Sequence, residues 1–311
     1  MRFNRLSRYP YTEYMSEKEK NLVQEHLSNN EIEYIIEYSI SPREYIRYIE
    51  EKKFNIYHTT EYNALSSTHP ELTVTEIVEL VETSGDTFEM SQLDNLLYSY
   101  SAQTILTWIQ QKDPYNKESV LIDYPINLDA LVTHERTVST FEPYHLEVLT
   151  EVPTLDNKKE IQVEKRVKEP LLALCQAIVE EKISTRVCGG LVVVNGYVSY
   201  EEQIEIFQQA KENHGQDVLF YADYPGHSEH QLGLTIDFAV AGLKSSNFDQ
   251  TTQLTWLLEN AHRFGFIQSY PEGKEAITGK QADNTHWRYV GIEIANYLYE
   301  HNLTLMESLG Q

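Results

Sequence analysis

Three residues of types that bind metal ions, His230, Asp237 and His286, constrain the fold of this chain more than any other feature. Gly233 lies between the first two and allows the backbone to turn tightly, so the pair suits a loop and the strand that follows it. His286 lies about fifty residues beyond Asp237. Two imidazoles and one carboxylate form a ligand set with which zinc keeps its fourth position for water. The sequence therefore predicts a zinc site where a loop, a strand and a distant segment meet.

The residues around these ligands carry a family resemblance. Ser228–Asp237 reads Ser-x-His-x-x-Gly-x-x-x-Asp, and Thr285–Gly291 reads Thr-His-Trp-Arg-Tyr-Val-Gly. Val192–Gln203 and Trp256–Phe266 contain further motifs in the same order and spacing. Together these segments resemble the VanY-type D-alanyl-D-alanine carboxypeptidases, and the resemblance covers about residues 160–311.

The resemblance implies a zinc peptidase that trims bacterial cell-wall peptides outside the cytoplasmic membrane. It assigns zinc binding to the two histidines and Asp237, and substrate contacts to Ser228 and Gln203. Asp283, three residues before His286, takes the place of the family's general base. His227 is expected near the metal or at the surface and not as a fourth ligand.

Three positions depart from the family pattern. Asp283 replaces a Glu, while Val198 and Ser269 replace two arginines that the resemblance would assign to the substrate. Arg186 and Arg288 are the candidates for a replacement cation. Without one, we expect weaker binding of a free terminal carboxylate, because both positive charges are absent. A lost donor at the developing oxyanion would also slow turnover, at a cost of about 2.7 to 4 kcal/mol.

These departures leave two interpretations open. The first is a zinc-dependent D,D-carboxypeptidase, or a related peptidase, of low or altered activity. The second is a catalytically impaired protein that binds zinc and a cell-wall peptide or protein partner without cleavage.

Charge and hydropathy exclude other classes of partner. The chain has 48 acidic and 25 basic residues and a formal net charge of −23, so a nucleic-acid-binding basic face is not expected. No signal peptide is visible at Met1–Leu6, and no apolar run reaches the roughly 18 residues that span a bilayer.

The two cysteines leave the redox state open. Cys175 and Cys188 could pair in an oxidising compartment, but Cys175 falls among apolar residues of a predicted helix. We therefore expect a buried free thiol.

The chain divides into an all-helical module at 1–113, an extended lead-in at 114–159 and a peptidase-like domain at 160–311. Helices of the first module begin at the capping boxes Ser28–Glu31, Ser41–Glu44 and Thr73–Glu76. In the last domain, helices flank a mostly antiparallel sheet, which is an α+β fold. Its predicted elements are a helix at 163–182, a strand at 191–195, a helix after the capping box at 199–202, a strand at 234–240 and a helix at 253–264.

Overall fold

The computed structural model describes residues 3–155 and 160–309. Two compact units are present, Met1–Gln111 and Lys112–Gln311. The end of the predicted lead-in, 156–159, and the outermost residues of the chain lie outside the described residues. No helix in the described part of the chain is both long enough and apolar enough to cross a bilayer.

Within the described part of the first unit, every regular element is helical. Its α-helices are α1 Phe3–Leu6, α2 Glu17–His26, α3 Asn29–Glu37, α4 Pro42–Tyr45, α5 Thr59–Thr68, α6 Val74–Ser84, α7 Met90–Leu97 and α8 Ala102–Gln111. The predicted starts are confirmed, since Ser28, Ser41 and Thr73 each form a capping box immediately before α3, α4 and α6. The local sequence signals therefore set where these helices begin.

The apolar faces of these helices form the core of the first unit. Ile32 and Ile35 of α3 are fully buried against Val23 of α2, with Tyr9 and Tyr45 in the same cluster. The two tyrosine hydroxyls lie 3.3 Å apart, so the rings pack as apolar groups while their polar ends contact each other.

The second unit holds the strands. They are β1 Val120–Leu121, β2 Arg136–Thr137, β3 Leu146–Val148, β4 Gln162–Glu164, β5 Leu191–Asn195, β6 Thr235–Val240, β7 Phe266–Gln268 and β8 His286–Tyr289. The largest sheet has the order β5-β6-β8-β7 and is antiparallel throughout. A parallel pair, β1-β2, and an antiparallel pair, β3-β4, lie upstream in sequence. The α+β prediction is confirmed.

Helices of the second unit follow the predicted order with shifted ends. They are α9 Lys165–Glu180, α10 Tyr200–His214, α11 Thr252–Asn260, α12 Glu275–Thr278, α13 Ile292–His301 and α14 Leu305–Leu309. Val163 belongs to β4, so α9 begins two residues later than predicted. The helix predicted to reach 264 ends as α11 at Asn260 and continues as a single tighter turn up to Gly265, whose φ is 85°.

The expectation of a free thiol is wrong, because Cys175 and Cys188 form a disulfide. Cys175 lies on α9, and Cys188 lies in the turn that leads into β5. Cys188 and Gly189 both have positive φ values, of 51° and 62°, which fold the chain back onto α9. Gly189 contacts Ile178 so closely that an added Cβ would lie 2.8 Å from its side chain. Both cysteines are buried, as expected for Cys175, and the turn brings them together.

Candidate metal centre

Two neighbouring strands and the turn before one of them bring the predicted ligands together. Asp237 on β6 and His286 on β8 are direct cross-strand partners. His230 lies in the helical turn Glu229–Leu232 just before β6. Gly233 ends that turn with a φ of 68°, and an added Cβ would lie 3.1 Å from the backbone of Glu164. The strand register and this glycine therefore place three segments at one point.

The geometry of the three side chains fits a metal ion. His230 Nε2 lies 3.3 Å from Asp237 Oδ1, and His286 Nδ1 lies 3.4 Å from the same oxygen. One ligand atom from each residue falls within 4.8 Å of the others. Asp237 Oδ1 is buried but accepts no hydrogen bond. Because buried polar atoms are almost always satisfied, this oxygen is best explained as a ligand.

Hydrogen bonds to the far ring nitrogens orient both imidazoles. His230 Nδ1 lies 2.7 Å from the carbonyl oxygen of Gly196, and His286 Nε2 lies 3.0 Å from Glu229 Oε2. Each acceptor fixes the N–H on its own side of the ring and leaves the opposite nitrogen as a lone-pair donor. The ring nitrogens that could bind a metal ion are therefore Nε2 of His230 and Nδ1 of His286.

Glu229 supports the site, and the sequence reasoning missed it. Its carboxylate accepts hydrogen bonds from Arg288 Nη1 at 3.1 Å and Ser269 Oγ at 2.6 Å, besides the contact with His286. The sequence did contain an indication of this role. Arg288 follows His286 by two residues, so the two side chains lie on the same face of a strand. A buried arginine needs a carboxylate, and Glu229 is adjacent to a ligand.

The charged groups at the site shift one another's pKa values. Burial by itself raises the pKa of Glu229, but Arg288 and His286 outweigh it and lower the pKa to about 2. Burial likewise raises the pKa of Asp237, yet the two histidines hold it well below its usual range. Both carboxylates are therefore anionic. Burial lowers the pKa of His286, but Asp237 and Glu229 outweigh it and raise that pKa to about 10.

The three ligands lie in a cleft of about 210 Å³. Gln203, Ser228 and Asp283, the other predicted site residues, line the same cleft. Asp283 Oδ1 accepts hydrogen bonds from the backbone N–H of Thr285 at 2.8 Å and from its hydroxyl at 2.6 Å. The carboxylate that replaces the family's Glu is thus held in place beside the ligands.

Ser228 and Gln203 are both buried, and each has a structural contact. Ser228 Oγ accepts a hydrogen bond from the backbone N–H of His230 at 3.4 Å. Gln203 Nε2 donates to the carbonyl oxygen of Asp223 at 2.9 Å. Their contact with substrate stays a prediction.

His227 lies apart from the ligand group. Its Nδ1 is 2.7 Å from the carbonyl oxygen of Thr133, and its Nε2 is 3.4 Å from Asp113 Oδ2. The ring is fully buried, so a surface position is wrong.

The structure does not bring either candidate arginine into the cleft. Arg288 is fully buried, where it pairs with Glu229 and donates to two backbone carbonyls. Arg186 is exposed and donates to the carbonyl oxygen of Ala241. Val198 lines the cleft as an apolar residue, and Ser269 is engaged by Glu229. The two arginines therefore do not replace the missing cations.

Comparisons with known proteins relate the chain to carboxypeptidases. The sequence model of the VanY D-alanyl-D-alanine carboxypeptidase family matches residues 160–292. A putative carboxypeptidase, YodJ, of Bacillus subtilis is 32% identical over 196 residues, which are 60% of this chain and 68% of that protein. A D-alanyl-D-alanine carboxypeptidase of Enterococcus faecalis is 37% identical over 128 residues. That match covers 38% of this chain and 47% of the relative, so the chain spans about half the length of the enterococcal protein.

A solved structure supports the same relationship. The LD-carboxypeptidase LdcB, whose structure concerns peptidoglycan recognition, is 30% identical, with a TM-score of 0.56. The match covers 62% of this chain and 90% of LdcB. On these comparisons, the chain belongs to the VanY D-alanyl-D-alanine carboxypeptidase family.

Proposed function

We propose that the second unit is a zinc-dependent carboxypeptidase that releases a D-amino acid from the stem peptide of the bacterial cell wall, outside the cytoplasmic membrane. The observation that carries the proposal is the convergence of three oriented ligand atoms and an anchored carboxylate, Asp283, on one cleft. Bound zinc would supply Lewis acidity toward the scissile carbonyl and the attacking water.

The chain's own residues account for the remaining chemistry. Asp283 takes the proton of the attacking water and later passes it to the leaving amine, which is the role of a general base and acid. Its position matters because a displacement of about 1 Å can cost on the order of a hundredfold in rate. Thr285 limits that displacement through its two hydrogen bonds to Oδ1.

Release of D-alanine from a purified cell-wall peptide tests the proposal. The protein is loaded with one equivalent of zinc and incubated with a pentapeptide ending in D-Ala-D-Ala and with the corresponding tetrapeptide. The tetrapeptide is included because LdcB is an LD-carboxypeptidase. Asp283→Ala should abolish release while zinc remains bound. Release that survives this substitution would remove Asp283 from the mechanism.

A second function is favoured by the same cleft. Val198 and Ser269 occupy positions of family arginines, so a protein that binds zinc and the peptide without cleavage is the alternative. Peptide association without D-alanine release would support this alternative. Val198→Arg combined with Asp283→Glu restores two of the three family residues, and we expect this double variant to raise turnover. An unchanged rate would count against an impaired peptidase.

A further inference from the structure

Lys280 gives the cleft a cation that the family pattern does not predict. It follows the short helix α12 and Gly279, which has a φ of 68°. Among the described residues that line the cleft, Lys280 is the one lysine or arginine. Asp223, Asp237 and Asp283 line the same cleft, so a carboxylate ligand entering it would otherwise meet three anionic groups.

The ammonium group of Lys280 is held in a defined position. Its side chain is 9% exposed, and Nζ lies 2.5 Å from Asp223 Oδ1. The backbone carbonyl of Asp223 accepts a hydrogen bond from Gln203 Nε2. Gln203, Asp223 and Lys280 therefore form one connected chain of contacts along the cleft wall.

A purely structural role does not require this charge. The segments that contain the two partners are already joined by a backbone hydrogen bond from Gln281 N to the carbonyl oxygen of Phe220 at 3.3 Å. Burying an ion pair costs desolvation that its own attraction often fails to offset. An ammonium group has three donors, and one contact with Asp223 leaves donors for a second carboxylate.

We propose that Lys280 binds the terminal carboxylate of the peptide, with Asp223 as its positioning residue. The inference rests on the proposed function, because it names the group that recognises the end of the same substrate. It revises the expectation of weak carboxylate binding: the chain lacks the family's arginines at 198 and 269 but supplies a positive charge from a different segment.

Equilibrium binding tests the proposal without turnover. Calorimetry would compare a stem peptide ending in a free carboxylate with the same peptide ending in an amide, using the zinc-loaded Asp283→Ala protein. We expect the acid to bind at least tenfold more tightly, as for a hydrogen bond to a charged group. Lys280→Met should remove that preference by weakening acid binding and leaving amide binding nearly unchanged.

Lys274 provides a matched control. It lies six residues upstream, and its Nζ forms an ion pair with Glu307 at 2.8 Å, but it does not line the cleft. Lys274→Met should leave both affinities unchanged. Because Lys280→Met leaves Asp223 without its partner, the double variant Lys280→Met/Asp223→Asn keeps the test valid if the single variant unfolds.

The outcomes separate this inference from the proposed function. Equal binding of acid and amide by the Asp283→Ala protein that retains Lys280 overturns the role of Lys280, even if the wild-type protein releases D-alanine. The inference is also overturned if Lys280→Met weakens the binding of both peptides equally, or if neither peptide binds. An acid preference that depends on Lys280 supports the inference, even if the wild-type protein releases no D-alanine.

Discussion

The two units of this chain differ in what they bury. In the described residues of the first unit, no Asp, Glu, Lys or Arg is buried, and the core is aliphatic and tyrosine-rich. The second unit buries five such residues, namely Asp113, Glu164, Glu229, Lys280 and Arg288. Because a buried charge is costly unless it is paired, the difference indicates where the chain retains polar groups for a purpose other than stability.

The buried charges of the second unit are all paired, and two of the pairs lie at the metal centre and its cleft. Glu229 connects Arg288 to the ligand His286, and Lys280 contacts Asp223 on the cleft wall. In the described part of the first unit, charged residues instead lie outside the core, and Glu31 and Glu76 complete the capping boxes before α3 and α6. Buried charged residues therefore distinguish the second unit, which holds the candidate site, from the described part of the first unit.

Breaking one buried pair should have the largest effect on stability. Glu229→Gln leaves Arg288 without its counter-charge, so we expect the free energy of unfolding of the metal-free protein to fall by about 3–5 kcal/mol. Zinc affinity should fall about 10–100-fold, because Glu229 orients His286. Denaturant unfolding and zinc titration measure the two effects.

A matched exposed pair in the first unit gives the control. Glu33 lies 3.1 Å from Arg5, and both side chains are more than a third exposed. Glu33→Gln should cost less than about 1 kcal/mol and leave zinc affinity unchanged. Equal losses for the two variants would contradict the contrast between the units.

The disulfide should have the next largest effect. Both cysteines of the chain belong to the second unit, where they tie α9 to the turn before β5. Cys175→Ala/Cys188→Ala should lower the free energy of unfolding by about 2–4 kcal/mol, because the bond restricts the unfolded chain. Denaturant unfolding with and without a reductant measures this loss. A reductant that destabilises the double variant as much as the wild type would show that the disulfide is not the cause.

Short sequence motifs and widely spaced residues predicted different features of the structure. Both hydrogen-bond partners of a capping box lie within three residues of each other, so the sequence alone predicts helix starts such as the one after Ser28. The candidate ligands His230, Asp237 and His286 were predicted because their residue types and spacing resemble a family pattern, and the structure brings these three side chains together. The ends of α9 and α11 shifted by a few residues, since tertiary contacts decide how far a helix continues.

Three features required the fold itself. Cys188 reaches Cys175 only because two positive φ values reverse the chain over α9. Glu229 and Arg288 are far apart in sequence and meet because β8 lies beside the turn that contains His230. Lys280 lies in the cleft wall because the chain after α12 brings it beside Asp223, which is distant in sequence. Each depends on contacts between distant segments, for which no local pattern exists.

Removing a hydrogen bond that holds Asp283, the proposed base, should lower kcat more than it lowers the free energy of unfolding. Thr285→Val removes the hydroxyl that donates to Asp283 Oδ1, so we expect kcat to fall on the order of tenfold to a hundredfold with zinc content unchanged. Thr285→Ser keeps the donor and should stay near the wild-type rate. In the first unit, Thr68 donates in the same way to Asp94 at 2.6 Å, and Thr68→Val should leave kcat unchanged. Equal rates for the two Thr285 variants would show that this hydrogen bond does not position the base.

The smallest expected effect comes from removing a capping box, a motif that occurs in both units. Thr73→Ala removes the capping box of α6, and Ser199→Ala removes that of α10. Each should lower the free energy of unfolding by about 1 kcal/mol. Only Ser199→Ala should also weaken peptide binding, because α10 carries Gln203 into the cleft. Calorimetry with the carboxylate peptide measures this difference, and identical peptide affinities would mean that the start of α10 does not position Gln203.

The Thr73 box also has a defined pH dependence. Hydrogen bonds from the side chain and backbone of Thr73 lower the pKa of Glu76 from its usual 4.5. Its stabilisation is therefore fully present above pH 4.5 and is lost as the pH falls through the lower pKa of the folded state. The cost of Thr73→Ala should shrink over that acidic range, which unfolding curves at a series of pH values would measure. A cost that stays constant through this range would show that the hydrogen bond from the Thr73 hydroxyl to the Glu76 carboxylate contributes nothing, and that the hydroxyl acts only as the acceptor of the backbone N–H of Glu76.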